Sequence, residues 1–387
     1  MRQPFRWFVT GLLALVVVAD GSGVKAAEVL PRQVSTSRPE ASADVLSGAE
    51  RVAVDRSVDR ALGWIAARQE PSGRFPSVES GQPAITALCV LAFLSRGHLP
   101  EEGPYGRQIT RAIEYVLDSQ NSEGIFARGG PISSPATEIW WTASYNHPIS
   151  GLMLAEVHGQ GTGPMGGRIR PAVEAALRVT LKRHAESKRN AADKGGWRYH
   201  RRHQSSDSDL SVTSWELMFL RSCRNAGFDV PAGPIDEALE FVGRCYDPQR
   251  QVFWYALRGR EHVTTRAMTG AGILSLSLAG RHNTPEARNA AEWLLEHPFD
   301  VYLDRVGTVD RYFYGAFYCS HAMFQLGGHY WSAFFPVMSR TLVENQASDG
   351  SWAAETGGDA KFGNVYSTAM AVLALSPPYQ LLPIFQR

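Results

Sequence analysis

Residues Gln346 to Trp352 read Gln-Ala-Ser-Asp-Gly-Ser-Trp, set between an amphipathic stretch and a second helical pattern. Degenerate copies stand at Gln69 to Phe75 (Gln-Glu-Pro-Ser-Gly-Arg-Phe), at Gln120 to Phe126 (Gln-Asn-Ser-Glu-Gly-Ile-Phe) and, without the Gln, at Lys194 to Tyr199 (Lys-Gly-Gly-Trp-Arg-Tyr). A helix, a Gly-containing turn closed by an aromatic, and a second helix, returning about every 50 residues, mark an array of repeats rather than unrelated elements.

Outward from these turns the chain falls into helix pairs. The first partner of each pair is amphipathic: Val58, Ala61, Leu62 and Ile65; Ile109, Ala112, Ile113, Val116 and Leu117; Ile169, Val173, Ala176, Leu177 and Thr180; then stretches near 235–243, 285–297 and 330–345. Such spacing gives one buried and one wet face. The second partners, 84–94, 149–157, 210–220, 268–278, 316–326 and 366–375, have almost no polar stripe, so protein must surround them. Gly97, Gly159, Gly227, Gly280 and Gly327 follow their ends, where a left-handed residue stops a helix. Six half-wet and six buried helices predict an all-α closed double ring, an (α/α)6 toroid spanning 54–387. An open superhelix, the alternative, would expose the inner faces.

With 44% hydrophobic and 20% charged residues and a formal net charge of +1, the 387-residue chain can bury a large core and has no excess charge for nucleic acid. Arg2 and Arg6, the apolar run Phe8 to Ala19 and the small residues ending at Ala26 have the layout of a secretory signal peptide over residues 1–26. Export, to the periplasm or beyond the cell, is the expectation, without an integral membrane anchor after cleavage. Residues 27–53 read as a disordered leader. The four cysteines form no disulfide framework; buried free thiols are expected, with a Cys223 to Cys245 bridge left open.

The turn at 346–352, its weaker copies and the segment Asp310 to Leu326 together resemble the terpenoid cyclase and protein prenyltransferase toroid superfamily. That resemblance implies structural roles for the Gln and aromatic residues of the turns. It also directs attention to Ser206 to Trp215, before the third inner helix, where squalene-type cyclases carry Asp-x-Asp-Asp and a protonated Asp starts carbocation cyclisation. Here Asp207-Ser208-Asp209 keeps the first half and Leu210 replaces the last acid. Prenyltransferase β subunits place a zinc-binding Asp and Cys there and a His later; Ser211 and Gly315 stand at the Cys and His positions. No zinc of that kind and no cofactor are expected.

A ring of this topology gathers the N-termini of its inner helices at one rim. The candidate acids are Asp209 and Asp207. Trp141, Tyr145, His147, Trp215, Arg266, Arg311, Tyr314 and Tyr366 are candidate ligand contacts, suited to a bulky apolar molecule with one polar end. Helix capping is the competing role for both acids, and a capping carboxylate is expected to have a lowered pKa. The basic run Arg198, His200, Arg201, Arg202 and His203 is either an anion site or a solvated turn. Three functions remain in play: acting on or binding an isoprenoid or other lipid; a non-catalytic scaffold for an envelope protein; and glycan processing, which needs facing carboxylates such as Asp207 or Asp209 with Glu138 or Asp310.

Overall fold

The computed structural model describes residues 45–158 and 165–386. Residues 1–26 and most of the expected leader therefore lie outside the described residues. Within the described part of that stretch Ser47 and Glu50 form a reciprocal capping box, and α1 starts at Gly48.

Twelve α-helices follow among the described residues. Six are outer: α1 (Gly48–Ala66), α3 (Gly106–Leu117), α5 (Gly166–His184), α7 (Ala232–Arg244), α9 (Pro285–Glu296) and α11 (Gly328–Glu344). Six are inner: α2 (Ala84–Leu94), α4 (Ile139–His158), α6 (Leu210–Asn225), α8 (Arg266–Leu278), α10 (Tyr312–Leu326) and α12 (Gly363–Leu375). The inner helices pack in the order α2, α4, α6, α8, α10, α12, and α12 packs on α2. The ring is closed. Its regular β-structure, among the described residues, is one antiparallel pair, Tyr246–Asp247 with Val252–Phe253.

The repeated turn does three separate jobs. First, its Gln cross-links its own turn to the next outer helix. Gln69 Nε2 donates to Gly73 O at 2.9 Å and to Gln108 O of α3 at 2.7 Å. Gln120 does the same with Gly124 O at 3.0 Å and Ala172 O of α5 at 2.8 Å. Gln346 reaches Gly350 O and, on α1, Ser57 O, both at 2.8 Å, which ties the last repeat to the first.

Second, its Gly has a left-handed φ and touches that neighbouring helix. At Gly195 φ is 87° and a Cβ would stand 2.0 Å from Glu237 O. Gly195→Ala should therefore cost on the order of 2 kcal/mol or more, from φ and from the clash. The measurement is the urea unfolding midpoint, and an unchanged midpoint would refute this account of the turn.

Third, the aromatic amide caps onto an inner helix. Trp197 and Trp352 donate to Thr213 and Thr368 Oγ1, at 3.0 and 3.1 Å, each sixteen residues on. Phe253 and Thr269 repeat this spacing, at 3.5 Å. The fifth repeat has Phe299 and, sixteen residues on, Gly315, where a Cβ would meet the Phe299 ring at 3.0 Å. Gly315 is thus the small residue that lets Phe299 pack.

Gly97, Gly227, Gly280 and Gly327 end inner helices with φ between 69° and 80°. Gly159 is outside the described residues. All four cysteines are buried free thiols, so Cys223 and Cys245 form no bridge. The far end of the ring is stopped by the chain itself: Ile384 and Phe385 are buried, Gln325 Nε2 on α10 holds Phe385 O at 2.7 Å, and Phe385 stacks on His321 at 3.8 Å.

Candidate functional site

Inside the ring, opening where the inner helices begin, lies a cavity of about 610 Å³. Leu88, Ile149, Trp215, Met268 and Met370 line its apolar part. Trp215 stacks on Phe317 with ring centroids 5.4 Å apart, and Phe317 in turn packs against Phe385. These stacked rings separate the cavity from the plugged end.

Above this floor stands a belt of tyrosines. Ser211 Oγ lies 2.8 Å from Tyr314 Oη and 3.2 Å from Tyr145 Oη, and Trp215 Nε1 donates to Tyr314 Oη at 2.8 Å. Tyr199 and Tyr255 share a hydrogen bond of 2.6 Å. Ser211, at the position of a zinc thiolate in the resembling transferases, is here part of a hydroxyl chain.

The mouth is charged. Arg311 Nε lies 3.5 Å from Asp359 Oδ2, and burial raises the Asp359 carboxyl above the usual range against the opposing pull of Arg311 and Lys361. Lys361 pairs with Glu138 and sits over the Trp141 ring at 4.7 Å. Glu261 accepts from Arg198 Nη2 at 2.5 Å.

Of the residues picked from sequence, Trp141, Tyr145, Trp215, Arg311, Tyr314 and Tyr366 line the cavity. Four others sit elsewhere. Arg266 is fully buried in the wall, bonded to Asp310, Asp304 and the Pro298 carbonyl. His147 is buried between α4 and α5, its Nε2 near Ala176 O and Thr180 Oγ1, and burial pushes its pKa down to about 3. Asp207 pairs with Arg189 at 2.6 Å, which holds its carboxyl below the usual range. None of Glu138, Asp207, Asp209 and Asp310 lines the cavity, so the carboxylate pairs named for glycan chemistry do not face each other across it. His200 and Arg198 of the basic run point into protein, and Arg201 and Arg202 are exposed.

Asp209 is a helix cap, as expected, but a fully buried one. It caps α6, Oδ1 accepting from the Val212 amide at 2.8 Å. Oδ2 has no hydrogen bond and lies 3.7 Å from Arg198 Nη1. Its pKa is raised to about 6, not lowered: burial outweighs Arg198 and the helix amides. It stands behind the tyrosine belt, where burial, with the Asp209 charge adding to it, pushes up the hydroxyls of Tyr145, Tyr199 and Tyr255.

Sequence reading missed Tyr199, Tyr255, Glu261, Asp359 and Lys361 as cavity residues. Asp359 and Lys361 could have been found by their place directly before the sixth inner helix. Tyr255 and Glu261 belong to an irregular loop whose path only the fold reveals.

No family model matches the chain. Among curated proteins, drimenyl diphosphate synthase of Streptomyces showdoensis is 25% identical over 201 residues, which is 51% of this chain and 33% of that protein. The chain spans about a third of the length of that relative. Among solved structures, a type II terpene cyclase from Scytonema in complex with geranylgeranyl dihydroxybenzoate aligns with a TM-score of 0.56 and 13% identity, covering 87% of this chain and 100% of that one. A GH76 α-mannanase from Bacteroides thetaiotaomicron aligns with a TM-score of 0.57 and 11% identity, covering 84% of this chain and 95% of that one. The protein has the α/α toroid fold that these enzymes share. Taken with the repeated Gln and aromatic turns, it resembles the terpenoid cyclase-like toroid superfamily.

Proposed function

We propose that the protein binds an isoprenoid or other lipid in its central cavity, apolar chain inward and polar end at the charged mouth. One observation carries this reading: a cavity of about 610 Å³ with an apolar floor and a polar, charged opening. The terpene cyclase solved with an isoprenoid-bearing substrate supports it by analogy of fold. Where the bound lipid is transformed, Asp209, which does not itself line the cavity, is the group we assign as the proton source, acting through the hydroxyls of the tyrosine belt in front of it. Its pKa of about 6 and an Oδ2 that accepts no hydrogen bond suit an acid, and the tyrosine belt offers faces to developing positive charge. Export through residues 1–26 is part of the proposal, and N-terminal sequencing of the mature protein tests it.

Trp141 and Trp215 line the cavity, so ligand entry should quench their fluorescence. Isoprenoids of increasing length should quench saturably, with affinity rising until the chain meets Trp215, since each buried methylene adds about 0.8 kcal/mol. Oligosaccharides should be inert. Saturable quenching by oligosaccharides with isoprenoids inert would overturn the proposal in favour of glycan chemistry.

A further inference from the structure

Two loops meet at one side of the mouth, 203–208 before α6 and 258–261 before α8. Buried Asp193 pins them together. Its carboxylate accepts from Ser206 Oγ and the Asp207 amide, each at 3.0 Å, and from Arg258 Nη2 at 2.5 Å, while its carbonyl accepts from Ser208 Oγ at 2.6 Å. Gly259, with φ of 77°, lets the second loop approach so closely that a Cβ there would lie 2.7 Å from Ser205 Cβ. On this scaffold Glu261 Oε2 receives Arg198 at 2.5 Å and Ser205 Oγ at 3.1 Å, with His203 Nδ1 at 3.4 Å. His203 and Glu261 both line the cavity.

The hydrogens in this cluster can be placed by elimination. A carboxylate only accepts, so Ser205 gives its one hydroxyl hydrogen to Glu261. The 3.0 Å contact between Ser205 Oγ and His203 Nδ1 is then a hydrogen bond only when Nδ1 carries hydrogen and donates it. The Ser205 amide approaches Nδ1 at 3.5 Å and would favour the other tautomer, but it is the longer and weaker contact. Burial, and then the Arg198 charge, lower the His203 pKa against the opposing pull of Glu261, and this net lowering favours the neutral ring. A neutral ring with hydrogen on Nδ1 has a bare lone pair at Nε2. Nε2 has no hydrogen-bond partner among the described residues.

We propose that His203 Nε2 accepts a hydrogen bond from a hydroxyl at the polar end of the bound lipid, so that the ligand is a lipid alcohol. This rests on the lipid-binding reading of the cavity. A phosphorylated or carboxylated end is anionic near neutral pH and would bring that charge against the lone pair of His203 and the Glu261 carboxylate. The mouth cations that would attract it are already matched: Lys361 by Glu138, Arg311 by Asp359, and Arg198 by Glu261 and Asp209. Arg260, exposed, also lines the cavity and has no carboxylate partner among the described residues, so tightest binding of a phosphorylated end is the outcome it would favour.

Three probes with one chain and different ends test this: farnesol, farnesyl methyl ether and farnesyl phosphate, titrated into wild type, His203→Ala and His203→Gln. Farnesol should bind wild type about ten-fold tighter than its methyl ether, the size expected of one well-made hydrogen bond. In His203→Ala that ratio should collapse towards one with the affinity for the ether unchanged, and His203→Gln, whose amide oxygen can accept, should recover part of it. Equal binding of alcohol and ether by wild type, tightest binding of the phosphate, or an equal loss of all three probes in His203→Ala would each overturn the inference while leaving lipid binding intact. Binding of none of the three removes the lipid reading and this inference with it.

Discussion

Arg266→Met should destabilise the protein by about 3–5 kcal/mol while leaving the ligand affinity of the folded fraction unchanged. The guanidinium is fully buried, with Nε donating to Asp310 at 2.8 Å, Nη2 to Asp304 at 2.8 Å, and Nη1 to Pro298 O at 3.0 Å. Removing it strands the Asp310 carboxylate, itself fully buried and already raised by burial, with the Val306 amide at 3.3 Å as its main remaining donor. An uncompensated buried charge is the costly outcome, whereas removing both charges is often tolerated. Arg266→Met with Asp310→Asn should therefore recover much of the loss. The measurement is urea unfolding of the two variants beside ligand titration. A variant that folds as wild type but no longer binds ligand would return Arg266 to the site.

Asp209→Asn should leave the protein more stable than wild type at pH 8 and remove part of its pH dependence between pH 4 and 6. Asn caps a helix about as well as Asp, so the bond to the Val212 amide can be kept. The folded pKa of about 6 exceeds the ordinary 3.8, so between these values the folded state binds more protons than the unfolded one. Stability contributed by this group is therefore present at low pH and falls as pH rises through about 6. The shift corresponds to a penalty on the order of 3 kcal/mol above that pH. Glu156 and Glu216, raised to about 7 by burial, titrate in both proteins and cancel in the difference. Wild-type minus variant stability should decline from pH 4 to pH 8. A flat difference would make Asp209 an ordinary cap, and a rising one would make the Arg198 pair dominant. Conversion of a bound lipid that stops in Asp209→Asn with binding retained would assign the proton to Asp209.

The array was legible in the sequence because each of its parts is local. Helix period, the Gly that must take a left-handed φ, and the aromatic that closes the turn all show within a few residues, and four copies of the turn among six helix pairs repeat the message. Asp209 could likewise be placed at the start of α6, since capping chemistry is local. What the sequence could not decide was which way things face and what surrounds them. The charged rim residues Arg266 and Arg311 start adjacent inner helices, yet Arg266 turns into the wall against Asp310 and Arg311 opens to the cavity. The sign of the Asp209 shift was also out of reach, because the helix amides that lower it belong to its own segment whereas the burial that raises it comes from the whole ring. Glu261 and Asp359 became cavity residues only when loops far apart in the chain were folded to one mouth. Local periodicity fixes which helices form and their order; the depth, charge and proton positions of the cavity arise from contacts between repeats, which only the closed ring brings together.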